Sequence, residues 1–143
     1  PSLADAAAVA LRAPASALPA GGEQGTTLRA PTVDGVTFPN YAYSALDVRA
    51  VGMRRERSRG REVVAVFYDD GPTRIGYAIV AAPAVGVPRG ARPVTYRGTR
   101  FALLRTDGAA VVTWRRAGRT CVLASRTASH ERLLRVAAWR APA

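Results

Sequence analysis

The chain has 143 residues, 48% apolar and 22% charged, with a formal net charge of +11 and a pI near 11.4. That is the length of one domain, with enough apolar content for a single core. One Cys and one His exclude a structural zinc site, an iron–sulfur cluster and an internal disulfide, and no apolar run approaches the ~18 residues of a membrane span.

Residues 1–12 predict a short helix. Ser2 and Asp5 match a capping box, and the Ala-rich stretch behind them has high helix propensity. Pro14 ends it. Residues 13–37, punctuated by Pro14, Pro19, Gly21, Gly22, Gly25 and Pro31, read as an Ala/Pro/Gly-rich tether. The expected organisation is therefore 1–37 as N-terminal helix and tether, and 38–143 as an antiparallel sheet plus a C-terminal helix. Residues 1–37 hold no aromatic side chain and promise little to a core. A short apolar helix on such a tether suits docking on its own domain or in the groove of a second copy, which implies a clasped homodimer. The first residue is Pro, and no charged segment leads into an apolar one. The expectation is a fragment or processed form without a signal peptide.

From Phe38 the pattern turns to strands. Leu46–Val51 is the first. Arg61–Tyr68 is apolar on both faces, as in a central strand, and Asp69-Asp70-Gly71-Pro72 is a turn. Arg74–Ala81 follows, then a long loop marked by Pro83, Pro88, Gly90 and Pro93. Val94–Arg97 and Arg100–Thr106 flank a turn at Gly98-Thr99. Thr106-Asp107-Gly108 turns the chain into a strand with Ala110, Val112 and Trp114 on one face. Arg115–Gly118 turns it again into Thr120–Ser125. Ser129 caps a last helix that carries Leu133, Leu134, Val136, Ala137 and Trp139 at helical spacing. The fold class is α+β: a curved antiparallel meander of about six to seven strands, a C-terminal helix packed on one face, and a short N-terminal helix.

The charge is uneven. Residues 1–40 carry two Arg and three acids; residues 41–143 carry 19 Arg and seven acids. All 21 basic residues are Arg, Ala occurs 29 times, and Lys is absent. Part of the charge thus follows GC-rich codon usage, and the signature of a flexible Lys-rich tail is missing. The densest run is Arg54, Arg55, Arg57, Arg59 and Arg61, diluted by Glu56 and Glu62. It reads first as a solvated hairpin loop. The same five residues are the candidates for an anion or partner contact, because Arg favours bidentate phosphate or carboxylate bonds.

Nothing assembles a catalytic constellation. Cys121 lies mid-strand, and His130, its one available base, opens a helix nine residues later. Asp69 and Asp70 are adjacent, so on a strand end they point apart. No nucleophile elbow, phosphate loop or dinucleotide fingerprint is present. The expectation is a protein that is not an enzyme and takes no metal or cofactor. Trp114 and Trp139 read as the sheet–helix interface. Arg115 and Arg116 beside Trp114 would alternatively suit a stacking platform for nucleic acid, but no RNA- or DNA-binding motif accompanies them, so nucleic acid is the less favoured partner.

The strings Val48-Arg-Ala-Val-Gly52-Met-Arg-Arg-Glu56, Gly60-Arg61, Phe67-Tyr68 and Ile75-Gly-Tyr77-Ala-Ile79-Val80 resemble an actinobacterial extracytoplasmic domain type. Val111-Val-Thr-Trp114-Arg-Arg, Thr120-Cys-Val-Leu123 and Leu133-Leu134-Arg-Val-Ala-Ala-Trp139 look like the same type. Such domains form the C-terminal part of membrane-anchored regulators that look like anti-sigma factors. The resemblance covers roughly residues 38–140, and its motifs are packing motifs. It implies an extracytoplasmic sensing or protein-interaction domain, tethered through a segment outside this chain, with a protein or envelope component as partner. The zinc-type His/Cys module of such regulators has no counterpart here. The alternative is a stand-alone basic module that binds nucleic acid or another anionic polymer.

Overall fold

Ser2 and Asp5 close the capping box expected of them. The Asp5 amide donates to Ser2 Oγ at 3.1 Å, and the Ser2 amide donates to Asp5 Oδ2 at 2.9 Å. The helix they start, α1, runs Leu3–Ala10. The computed structural model describes residues 2–19 and 23–139; Pro1, Gly21 and Gly22, which bear on the readings above, lie outside them. Among the described residues no helix is long and apolar enough to cross a membrane.

Beyond α1 the chain departs from the tether reading. It forms β1 (Glu23–Gln24), β2 (Thr27–Val33) and β3 (Val36–Pro39), a small sheet in the order β1-β2-β3. Leu28, Val33 and Phe38 on it are fully buried. The apolar positions of β2 and β3 are few and broken by Pro31, so composition concealed a layer of the core.

The main sheet comprises β4 (Arg49–Ser58), β5 (Arg61–Asp70), β6 (Thr73–Val80), β7 (Arg92–Tyr96), β8 (Thr99–Thr106), β9 (Ala109–Arg116) and β10 (Arg119–Ser125). Its order is β4-β5-β6-β10-β9-β8-β7, antiparallel throughout. Two consecutive meanders are thus joined side by side through β6 and β10. The reason lies in burial: β5, β6, β9 and β10 are apolar on both faces and take the centre, while the mixed strands β4 and β7 take the edges.

Five hairpin turns pair a left-handed residue with glycine: Asp34-Gly35, Arg59-Gly60, Arg97-Gly98, Asp107-Gly108 and Ala117-Gly118. Left-handed φ at both central positions matches the twist of the flanking strands. The turn expected at Gly98-Thr99 sits one residue earlier for this reason.

Each sheet face has its own cover. Val63, Ala65, Phe67, Ala78, Val80, Val122 and Ala124 pack under α1. Val64, Val66, Tyr68, Ile75, Tyr77, Ile79, Cys121 and Leu123 pack under the small sheet and the last helix, α2 (His130–Ala138). The chain passes from one cover to the other around the β4 edge. There the Ser16 and Ala15 amides donate to the Met53 carbonyl at 3.1 and 2.9 Å, and the Met53 amide donates to Ser16 O at 2.9 Å. The N-terminal segment therefore docks on its own domain.

Ser129 caps α2, its Oγ accepting from the Arg132 amide at 3.1 Å. Arg132 binds Asp70 through two bonds of 2.7 and 3.0 Å and the Leu46 carbonyl at 2.7 Å, which pins the helix to the end of β5. Trp139 differs from its expected place. It follows α2 as the C-cap and is half-buried, so it lies past the helix's buried stripe of Leu133, Leu134, Val136 and Ala137.

Candidate functional site

The arginine run lies on a hairpin as expected, with Arg55, Arg57 and Arg59 exposed, but most of it is strand rather than loop, and all five members have partners within the chain. Arg54, Arg55 and Arg57 lie on β4, Arg59 sits in the tight turn, and Arg61 opens β5. Arg54 Nε donates to the Ala13 carbonyl at 2.8 Å, and its NH1 reaches Glu56 at 3.2 Å. Arg55 pairs with Glu62 at 2.9 Å, and Arg57 donates to Gly60 O at 2.7 Å. Arg59 lies 3.6 Å from Asp5, and Arg61 donates to the Ala81 and Pro83 carbonyls. Arg12 completes the group by pairing with Glu56. These contacts fasten the N-terminal segment and the β6–β7 connection to the sheet edge.

The groups weighed for catalysis are likewise engaged in structure. Cys121 is fully buried, and burial pushes its thiol up to about 11, so it stays protonated at neutral pH. His130 Nε2 contacts the Leu104 carbonyl at 2.8 Å. Asp69 pairs with Arg74 at 2.8 Å, and Asp70 with Arg132. Among the described residues no cluster of three or more His, Cys, Asp or Glu is suited to a metal ion.

An open cleft of about 300 Å³ lies on the α2 side of the sheet. Tyr77, Trp114, Arg115 and Arg116 line it from the sheet, Thr26, Thr27 and Pro39 from the small-sheet region, and Ala137 and Trp139 from the end of α2; Thr99 completes it. Strand alternation puts Trp114 and Arg116 of β9 on one face. Arg116 reaches across β10 toward β6, and its NH1 donates to Tyr77 Oη at 2.7 Å. Its guanidinium carbon stands 6.0 Å from the Tyr77 ring centroid.

The aromatic walls are fixed by edge-to-face and tilted ring contacts. Trp114 lies 5.4 Å from Tyr77 and 5.5 Å from Phe101 between ring centres, and Trp139 lies 5.2 Å from Tyr41. Tyr41 is locked in turn by its hydroxyl, which donates to Val136 O at 3.0 Å.

Two polar groups in these walls stand out. Arg116 is half-buried, yet no carboxylate pairs with it among the described residues. Burial opposes its charge, the hydrogen bonds to Tyr77 and Cys121 favour it, and the guanidinium stays a cation at neutral pH. Trp114 is 4% exposed, and its indole N–H has no hydrogen-bond partner among the described residues. Such an orphan is unusual for a buried donor, and the nitrogen lies inside the wall with no accessible surface of its own.

Sequence reasoning had flagged Trp114, Arg115 and Arg116 as neighbours and Trp139 as a large apolar group. It missed Tyr77, Thr27 and Pro39, which long-range pairing brings in. No family model matches this chain, and neither a curated protein nor a solved structure is similar to it.

Proposed function

We propose that the chain is a non-enzymatic extracytoplasmic sensing or protein-interaction domain of a membrane-anchored regulator of the anti-sigma type, and that the cleft is its recognition site. The observation that carries the recognition half is Arg116, a half-buried cation without a carboxylate partner among the described residues, set among aromatic walls. Holding such a charge away from water is costly unless an anion or strong acceptors meet it. The regulatory half rests on the resemblance of strings that lie on β4, β5, β6, β9, β10 and α2. In this reading an envelope component or partner protein occupies the cleft, and the N-terminal segment, wrapped around the β4 edge, relays its occupancy toward the anchor.

Protease treatment of intact protoplasts expressing the full-length protein tests the location. The reading expects this domain to be digested from outside. Protection until the cells are lysed contradicts it.

A second reading, an anionic-polymer binder, draws on a different observation. Residues 84–118 carry seven Arg and one acid, and none of them takes part in an ion pair among the described residues. That charge lies over β7–β9, away from the Arg54–Arg61 run.

A further inference from the structure

We infer that the cleft takes a small ligand built as one carboxylate on an aromatic body. This deepens the reading of the cleft as a recognition site and rests on it. The head group follows from Arg116. Its planar fork offers five donors; Tyr77 and Cys121 engage part of it, and the Tyr77 contact fixes its orientation. A fork held in place with donors to spare matches the two oxygens of a carboxylate better than a point charge would.

The body follows from the walls. Trp114, Trp139 and Tyr77 line the same space, Trp139 half-buried and the other two almost wholly buried. Aromatic rings pack well against such walls. A volume of about 300 Å³ is at the small end for ligand sites and accommodates a one- or two-ring acid.

The chain has two Trp, and both line the cleft, so intrinsic fluorescence reports its occupancy directly. The probes are benzoate, benzyl alcohol (ring without charge) and acetate (charge without ring). Benzoate should change the fluorescence saturably, with at least about tenfold tighter binding than either control. Arg116→Gln should weaken benzoate by about tenfold or more and leave benzyl alcohol unchanged, while Arg116→Lys should recover part of the loss. Thermal melts establish that each variant is folded. Should Arg116→Gln fail to fold, Arg116→Lys against Arg115→Gln decides: the first must weaken benzoate more than the second. The inference is overturned if benzoate gives no saturable change, if benzyl alcohol binds as well as benzoate, or if benzoate binding is indifferent to Arg116. The protoplast experiment is independent of these titrations. A domain digested from outside that ignores benzoate defeats the ligand class and leaves the location standing.

Discussion

Gly76 shows what a single missing atom decides here. A Cβ built on it would stand 1.8 Å from the Ala10 carbonyl oxygen and 2.6 Å from the Ala10 carbonyl carbon. The end of α1 thus rests on the bare backbone of β6, and the obstacle is main chain that cannot rotate away. Gly76→Ala should displace α1 and cost about 3 kcal/mol, the upper part of the usual range for overpacking. Urea denaturation measures this, and a loss under about 1 kcal/mol would mean that α1 is not seated on β6. Trp139 teaches the opposite lesson. Its helical spacing suggested a core residue, but as the half-buried C-cap it forms a wall of the cleft.

At the scale of elements, the N-terminal segment is held on the β4 edge by charge as well as by backbone pairing. Glu56 accepts from Arg12 and Arg54, and the bond to Arg12 holds its carboxyl below the ordinary value of 4.5. A carboxylate depressed in the folded state adds stability that is complete above about 4.5 and disappears as the pH falls through the folded value. Asp34 behaves alike: its carboxyl is lowered by the Ala82 amide and by Arg119. The wild type should therefore lose more melting temperature between neutral pH and pH ~3 than Glu56→Gln does. Equal losses would mean that the Arg12–Glu56 pair does not hold the segment. The hairpins after Tyr96, Thr106 and Arg116 and α2 were legible in the sequence because their signals are local, a Gly near each turn and Ser129 before an apolar stripe, whereas Asp34-Gly35 was absorbed into the tether and the second half of β4 into a loop. The small sheet was not legible. Leu28, Val33, Val36 and Phe38 bury their side chains only because a distant sheet face, with Val66 and Tyr77, lies opposite them. The pairing of β6 with β10, more than 40 residues apart, is equally non-local. The cleft depends on both, so only its Trp114-Arg115-Arg116 wall was visible beforehand.

Over the whole molecule, charge divides into two populations. The run from Arg54 to Arg61 has carboxylate or carbonyl partners within the chain, whereas the arginines over β7–β9 form no ion pairs among the described residues. Such a patch attracts polyanions through counterion release, which salt suppresses. Binding to a random oligonucleotide should therefore be detectable at ~50 mM salt and largely lost by ~200 mM. Sub-micromolar binding that persists at the higher salt would favour the anionic-polymer reading over a sensing domain. The two covers of the sheet belong to one continuous chain that turns around the β4 edge, so the cleft on one face and α1 on the other are mechanically joined.

The central claim is that an aromatic carboxylate enters the cleft between Arg116 and the two indoles. With two Trp in the chain, a heteronuclear NMR spectrum contains two indole N–H signals. Titrating benzoate should move both along saturable curves with one dissociation constant. In Arg116→Gln both should stay in place at the same concentrations. Indole signals that remain fixed in the wild type while benzoate perturbs resonances elsewhere would contradict the account.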